Sequence, residues 1–255
     1  MIGFMTLGVA AALNRRPLLG IALCAIAATI KAPAAISAVV ILLCWLRADG
    51  TRLDRSKHAV GATVVASAAL VAASLVTGLG FEWLSPSVLA TPGRVHLATT
   101  PVSELAWVFH ALDANMSVQH AQSIVGKVLL GVAALLVIWL LVRARQENLV
   151  RTAGIVLLAV AALGPAAWPW YFTWGIALIA CDPKFQRSRA LLVGIVIGCV
   201  VIKPDGILAL PYSASAFVMV AYLATGAAAI LASRRRIHNP AAVPDVPHPT
   251  STARS

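Results

Sequence analysis

Residues 18–46 have the sequence LLGIALCAIAATIKAPAAISAVVILLCWL, in which Lys31-Ala32-Pro33 separates two apolar runs. A single untilted membrane helix needs about 20 residues, so this stretch is too long for one crossing and too short for two full ones. Proline lacks a backbone N–H and disfavours a helical conformation at the residue before it. The pattern therefore predicts a hairpin of two short helices, with Lys31 at the turn.

The composition places this hairpin in a membrane. Of the 255 residues, 60% are hydrophobic and 11% are charged, and the mean hydropathy is +0.88. Soluble domains are usually about 45–50% apolar and about 25% charged, so the soluble, disordered and disulfide-scaffold classes are excluded. The predicted fold class is all-α: a polytopic helical membrane protein with several short helical hairpins and one long outer segment.

The net charge of +11 is explained by basic loops between membrane helices, so we expect no nucleic-acid partner. Most of the Lys and Arg residues lie in short clusters between apolar runs, and loops of this kind face the cytoplasm. With every cluster inside, each interval between neighbouring clusters must cross the membrane an even number of times. The clusters occupy residues 15–16, 47–57, 143–151, 184–189 and 234–236.

Because each interval must cross the membrane an even number of times, two further hairpins are predicted. They lie over residues 152–181 and 190–233, and each contains a break with proline, at 164–171 and 203–206 respectively. The domain prediction is a transmembrane helical domain over residues 1–233 and a disordered cytoplasmic tail over 234–255. Within that domain we expect a helix over 59–77, an outer segment over about 78–120 with a short amphipathic helix at 102–112, and a helix over about 121–142.

Residues 1–13 are too short for a full crossing, yet basic Arg15 and Arg16 follow at once. No basic residue precedes the apolar run, as one would in a signal peptide. We therefore expect that an amino-terminal portion is missing and that it would act as a partner of this chain.

Lys31 is the first candidate binding residue. An ionisable side chain within a spanning segment is a functional hypothesis because its solvation is costly. At an outward-facing turn its ammonium could meet the phosphate of a membrane lipid. The alternative is a lysine that only anchors a helix end.

The second candidate is the aromatic group Trp168, Trp170 and Tyr171, with Trp174 close behind. Aromatic faces can stack on a sugar ring, and their N–H and O–H groups can donate to its hydroxyls. The alternative is an interfacial aromatic belt.

Two further cations, Arg94 and Lys203, are predicted to lie on the outer half of the protein, where Arg94 could hold a phosphate. Glu82, Glu104 and Asp113 are possible general bases, but the catalytic residue is not assigned. The histidines and four cysteines lack metal-ligand spacing, so no metal site is predicted.

Four stretches carry a family resemblance: AATIKAPA at 27–34, TGLGFEW at 77–83, TPGRV at 91–95, and LGP at 163–165 continuing to PWY at 169–171. With these motifs the chain resembles the carboxy-terminal half of the actinobacterial polyprenyl-phosphomannose-dependent mannosyltransferases. More specifically, it resembles the α-(1→6)-mannopyranosyltransferases that build lipomannan and lipoarabinomannan.

The resemblance implies a GT-C architecture in the cell membrane, multi-pass, with the active face outward. The donor would be polyprenyl-phosphate mannose and the acceptor a mannan, with no cofactor beyond the donor and with metal dependence left open. The family's catalytic carboxylate lies in an external loop before the start of this chain. Among the residues present, Lys31 and Arg94, with Lys203 as a weaker candidate, would bind the phosphate, while Trp168, Trp170 and Tyr171 would bind the sugar.

Two other functions remain open at this stage. Interrupted helices are also found in transporters, so a transporter or flippase of lipid-linked sugars is one alternative. The other is an inactive structural fragment.

Overall fold

The fold was analysed in a computed structural model of the chain. It describes residues 1–48, 51–78, 80–81, 85, 101–113, 115–164, 169–185, 188–189, 191–193 and 195–196. Over these ranges the regular secondary structure is helical and contains no strand. In chain order the α-helices are α1 (Ile2–Leu13), α2 (Pro17–Ile30), α3 (Ala34–Ala48), α4 (Arg52–Val76), α5 (Pro101–Leu112), α6 (Val118–Val142), α7 (Leu149–Leu163) and α8 (Phe172–Ile179).

The hairpin predicted at Lys31 is confirmed. Helix α2 has 14 residues and α3 has 15, and the two helices pack against each other. At 1.5 Å per residue they are about 21 and 22 Å long, shorter than a hydrocarbon core of about 30 Å. Lys31 ends α2 because its backbone is extended (φ −156°, ψ 117°), and α3 starts directly after Pro33.

The second predicted hairpin is also present, with α7 and α8 on either side of the break and a 3₁₀ turn at Pro169–Tyr171. The amphipathic helix of the outer segment is observed as α5. The predicted break at 203–206, the tail at 234–255 and most of the outer segment lie outside the described residues.

Helix α4 begins at Arg52, seven residues before the predicted start at 59, because Thr51 caps it. The Thr51 hydroxyl accepts a hydrogen bond from the backbone N–H of Asp54 at 3.2 Å, and Asp54 itself lies in the first turn. A hydroxyl cap and an acidic first turn both stabilise a helix N-terminus. The predicted start at residue 59 was therefore wrong, and the basic residues Arg55 and Lys57 lie on the helix.

Three described segments are long and apolar enough to cross a membrane: Arg52–Val76, Val118–Val142 and Gln146–Leu163. Only 11% of the most apolar window of α4 and 17% of that of α6 are buried inside the protein. Apolar helices with this much exposed surface are suited to lipid rather than water. The protein is a helical membrane protein.

Glycines allow two helix pairs to approach closely. Gly8 and Gly20 face each other between α1 and α2, where a Cβ on Gly8 would lie 2.7 Å from the carbonyl oxygen of Gly20. Gly154 and Gly175 do the same between α7 and α8, where a Cβ on Gly175 would lie 2.5 Å from the carbonyl oxygen of Gly154. Small residues bring helix backbones together in membranes, where association depends on close packing.

Arg47, near the end of α3, joins that helix to the end of α6. Its Nη1 donates to the backbone carbonyl oxygens of Leu141 at 2.7 Å and Ala144 at 2.6 Å. The last carbonyls of a helix lack partners within the helix and carry partial negative charge, which a guanidinium satisfies.

Two other contacts bring the remaining basic loops to the same end. Gln146 donates to the carbonyl oxygen of Ala12 at 3.4 Å, and Arg151 forms an ion pair with Asp182 at 3.7 Å. The described basic clusters therefore gather at one end of the bundle, while the break at Lys31 lies at the opposite end of α2 and α3. Which end faces the cytoplasm stays a prediction.

A substitution at one of the close glycine contacts tests this packing. In the Gly154→Ala variant the new Cβ would lie 2.6 Å from Ile179 Cγ1 and 3.0 Å from the Gly175 carbonyl oxygen. Overpacking of this kind costs about 1–3 kcal/mol. We expect a clear loss of thermal stability in detergent for Gly154→Ala. The matched control is Gly131→Ala in α6, whose Cβ would meet nothing within 4 Å. Equal stability of the two variants would contradict the observed contact.

Candidate functional site

The two described helix breaks meet, which joins Lys31 to an aromatic group 140 residues later in the chain. The Lys31 ammonium donates a hydrogen bond to Tyr171 Oη at 2.8 Å. Lys31 follows the last residue of α2, and Tyr171 ends the 3₁₀ turn that precedes α8. Each of the two residues therefore lies in a short connecting segment between two α-helices.

The ammonium also lies against aromatic rings. Lys31 Nζ is 4.5 Å from the centroid of the Tyr171 ring and 5.9 Å from that of Trp174. A cation within about 6 Å of a ring centroid is attracted by the ring quadrupole. Because these rings partly replace water around the charge, Lys31 is held in place although its side chain is exposed.

Three aromatic side chains form the rest of the site. The Tyr171 and Trp174 rings stack with centroids 4.2 Å apart and an interplanar angle of 24°. Trp170 meets Tyr171 edge to face at 6.1 Å. Trp174 is 5% exposed and Trp170 is 42% exposed, so Trp174 supports Tyr171 from within the protein while Trp170 lies at the surface of the site.

The buried position of Trp174 behind Tyr171 was not predicted, because its place just after the aromatic group indicated no separate role for it. The signal was available in its spacing. Residues three apart on a helix lie on the same side, and Trp174 follows Tyr171 by three at the start of α8.

The formal charge that the described residues give this site is the Lys31 ammonium. Among them, no carboxylate lies within ion-pair distance of Lys31. An ammonium without a carboxylate partner is available to an anion, because hydrogen bonds between ionised groups are the strong ones.

Comparison with known proteins identifies the family. Residues 98–234, more than half of the chain, match the family described as the MptB C-terminal domain. The chain belongs to the MptB C-terminal domain family. This confirms the resemblance stated from the sequence motifs, and the matched region contains Trp170, Tyr171 and Trp174.

A relative with a curated description supports the same family. The chain is 29% identical over 223 residues to "Alpha-(1->6)-mannopyranosyltransferase A" of Mycobacterium tuberculosis (strain ATCC 25618 / H37Rv). The alignment covers 81% of this chain, which spans 42% of the relative's length. No solved structure matches the chain.

Of the six predicted site residues, the structure brings together Lys31, Trp170 and Tyr171. The other three, Arg94, Trp168 and Lys203, lie outside the described residues, and the roles of all six stay predictions.

The candidate general bases are not placed at this site. Glu82 and the side chain of Glu104 are outside the described part of the chain. Asp113 is described, and its Oδ1 accepts from the backbone N–H of Asn115 at 3.0 Å in the turn between α5 and α6. Among the described residues, no group of three His, Cys, Asp or Glu is placed to hold a metal ion.

Replacing each of the two tryptophans by alanine tests which of the two rings stabilises the protein. Trp174→Ala removes a buried ring from behind Tyr171, and comparable truncations of buried aromatics cost about 3–5 kcal/mol. Trp170→Ala removes a half-exposed ring and should cost below about 1 kcal/mol. Thermal unfolding of both variants in the same detergent should therefore show a much larger decrease for Trp174→Ala. A larger decrease for Trp170→Ala would contradict the arrangement.

Proposed function

We propose that the protein is a membrane glycosyltransferase that transfers mannose from polyprenyl-phosphate mannose to a growing mannan. The acceptor would be a lipomannan or lipoarabinomannan precursor, the new linkage α-(1→6), and the reaction would occur at the outer face of the cell membrane. The observation that supports it best is the Lys31 ammonium at the Tyr171 hydroxyl, beside the half-exposed ring of Trp170.

The charge of the site suits the leaving group. In the proposed reaction an acceptor hydroxyl oxygen attacks the anomeric carbon of mannose, and the bond from that carbon to the phosphate oxygen breaks. The hydroxyl proton passes to a general base, and the polyprenyl phosphate leaves with additional negative charge. A fixed cation that is not already neutralised by a carboxylate stabilises that charge as it develops.

The aromatic part of the site suits the sugar. Trp170 presents a half-exposed ring beside the charged pair, and indole faces pack against the apolar face of a pyranose. In the donor, mannose is bonded directly to the phosphate. A mannose stacked on Trp170 would therefore lie next to a phosphate bound by Lys31. Trp168, Arg94 and Lys203 are proposed to complete these two parts of the site.

The proposed orientation rests on the distribution of charge. The described basic clusters gather at the end of the bundle opposite Lys31, and basic loops face the cytoplasm in most membrane proteins. The Lys31 turn then faces outward. Because α2 and α3 are shorter than the hydrocarbon core, the turn lies below the outer surface, in a depression lined by protein.

Lys31→Gln tests the assignment. The variant removes the charge and keeps a side chain of similar length, so we expect kcat/KM for transfer from labelled polyprenyl-phosphate mannose to fall on the order of 10²-fold. The enzyme should be assayed in membranes as the full-length gene product.

Lys57→Gln is the matched control, because Lys57 is an exposed lysine of α4 near the opposite end of the bundle. It should retain wild-type transfer. Unchanged kinetics in Lys31→Gln would remove the proposed role. Movement of intact donor across the bilayer without mannosyl transfer would instead favour a flippase.

A further inference from the structure

The direction of the hydrogen bond between Lys31 and Tyr171 constrains the phenol. An ammonium has no lone pair, so Lys31 must donate and Tyr171 Oη must accept at 2.8 Å. The hydrogen of the phenol therefore points away from Lys31. Within the described ranges, no residue accepts it.

This phenol is a strengthened donor. A hydroxyl that accepts from a cation is polarised and donates better, and hydrogen bonds involving charged groups are roughly twice as strong as neutral ones. The best acceptor for its hydrogen is an anionic oxygen. A sugar hydroxyl is a poorer match, because it both donates and accepts and is uncharged.

The two donor atoms lie one hydrogen bond apart. Lys31 keeps N–H groups that are not used by Tyr171, and Tyr171 keeps its O–H, so both can reach oxygens of a single phosphate. Trp174, stacked on the Tyr171 ring and almost fully buried, fixes the direction of the phenol.

We propose that the Tyr171 hydroxyl is a phosphate ligand that acts together with Lys31, and that Trp174 is its positioning residue. The inference rests on the proposed function and refines it, because it moves Tyr171 from the sugar to the phosphate and leaves Trp170 as the sugar contact. The site then selects a lipid that carries a phosphate over the corresponding neutral polyprenol.

Tyr171→Phe tests this directly, since it keeps the ring that contacts Lys31 and Trp174 and removes only the O–H. The decisive ligand is polyprenyl phosphate without a sugar, used as an inhibitor of mannosyl transfer. We expect its inhibition constant and the donor KM to rise by the same factor, on the order of tenfold for one hydrogen bond to a charged group. A higher donor KM with an unchanged inhibition constant would assign Tyr171 to the sugar and overturn the proposal.

Two variants act as controls. Trp170→Phe should raise the donor KM and leave inhibition by polyprenyl phosphate unchanged. Trp139→Phe changes a half-exposed ring near the end of α6 and should alter neither value. In a double-mutant cycle, Lys31→Gln and Tyr171→Phe should be non-additive in the binding of polyprenyl phosphate and should have little effect, singly or together, on the binding of polyprenol. The same coupling for both ligands would reflect only the direct hydrogen bond between the two residues and would overturn the shared phosphate.

Direct binding separates this inference from the proposed function. Labelled polyprenyl phosphate and polyprenol should be bound to the purified full-length protein and to Tyr171→Phe. Weakened phosphate binding by the variant, with no mannosyl transfer by the wild type, would refute the proposed function and support the phosphate site. Normal transfer by the wild type, with unweakened phosphate binding by Tyr171→Phe, would refute the phosphate site and leave the function standing.

Discussion

A single contact, the hydrogen bond from the Lys31 ammonium to the Tyr171 hydroxyl, connects the two interrupted hairpins of this protein. The Lys31 side chain is exposed, and the described residues supply no carboxylate to balance its charge. A bound anion would supply that partner. The aromatic rings hold the ammonium in position until that anion arrives.

The rest of the bundle supports this contact. Glycine contacts set α7 against α8 closely enough for the chain to turn back through the short aromatic segment that carries Tyr171. Arg47 satisfies the last carbonyls of α6 at the other end of the bundle, where the basic loops gather. Among the described residues, most of the positive charge therefore lies at the basic end, while Lys31 at the turn between the short helices and Lys127 on α6 lie away from it.

Much of this fold could be predicted from local sequence. Lys31-Ala32-Pro33 breaks an apolar run that is too long for one helix, and the 14- and 15-residue helices on either side follow from that fact. The start of α4 was missed because the prediction began the helix at its first long apolar run and overlooked the Thr51 cap. The association of Lys31 with Tyr171 could not be derived, since both periodicity and helix breaks describe neighbours along the chain. It depends on the packing of two hairpins whose contacting residues are 140 positions apart in the chain.

For the candidate site, the sequence indicated which residues to consider but not how they are arranged. Lys31 and the aromatic group were separate candidates, which the resemblance assigned to the phosphate and the sugar of one donor; the structure places Lys31, Trp170 and Tyr171 side by side, and their roles stay predictions. The supporting position of Trp174 and the direction of the Lys31–Tyr171 hydrogen bond follow only from the three-dimensional arrangement. Arg94, Trp168 and Lys203 stay predictions, as does the GT-C architecture implied by the resemblance.

The central claim is that the Lys31–Tyr171 site opens to the outer face, and cysteine labelling in intact cells tests it most directly. The four natural cysteines are first replaced by alanine, and Lys31→Cys, Trp170→Cys and Arg145→Cys are introduced one at a time. A membrane-impermeant maleimide should label positions 31 and 170 from outside, while position 145 should react only after permeabilisation. The reverse pattern, with position 145 labelled in intact cells and position 31 labelled only after permeabilisation, would contradict the account.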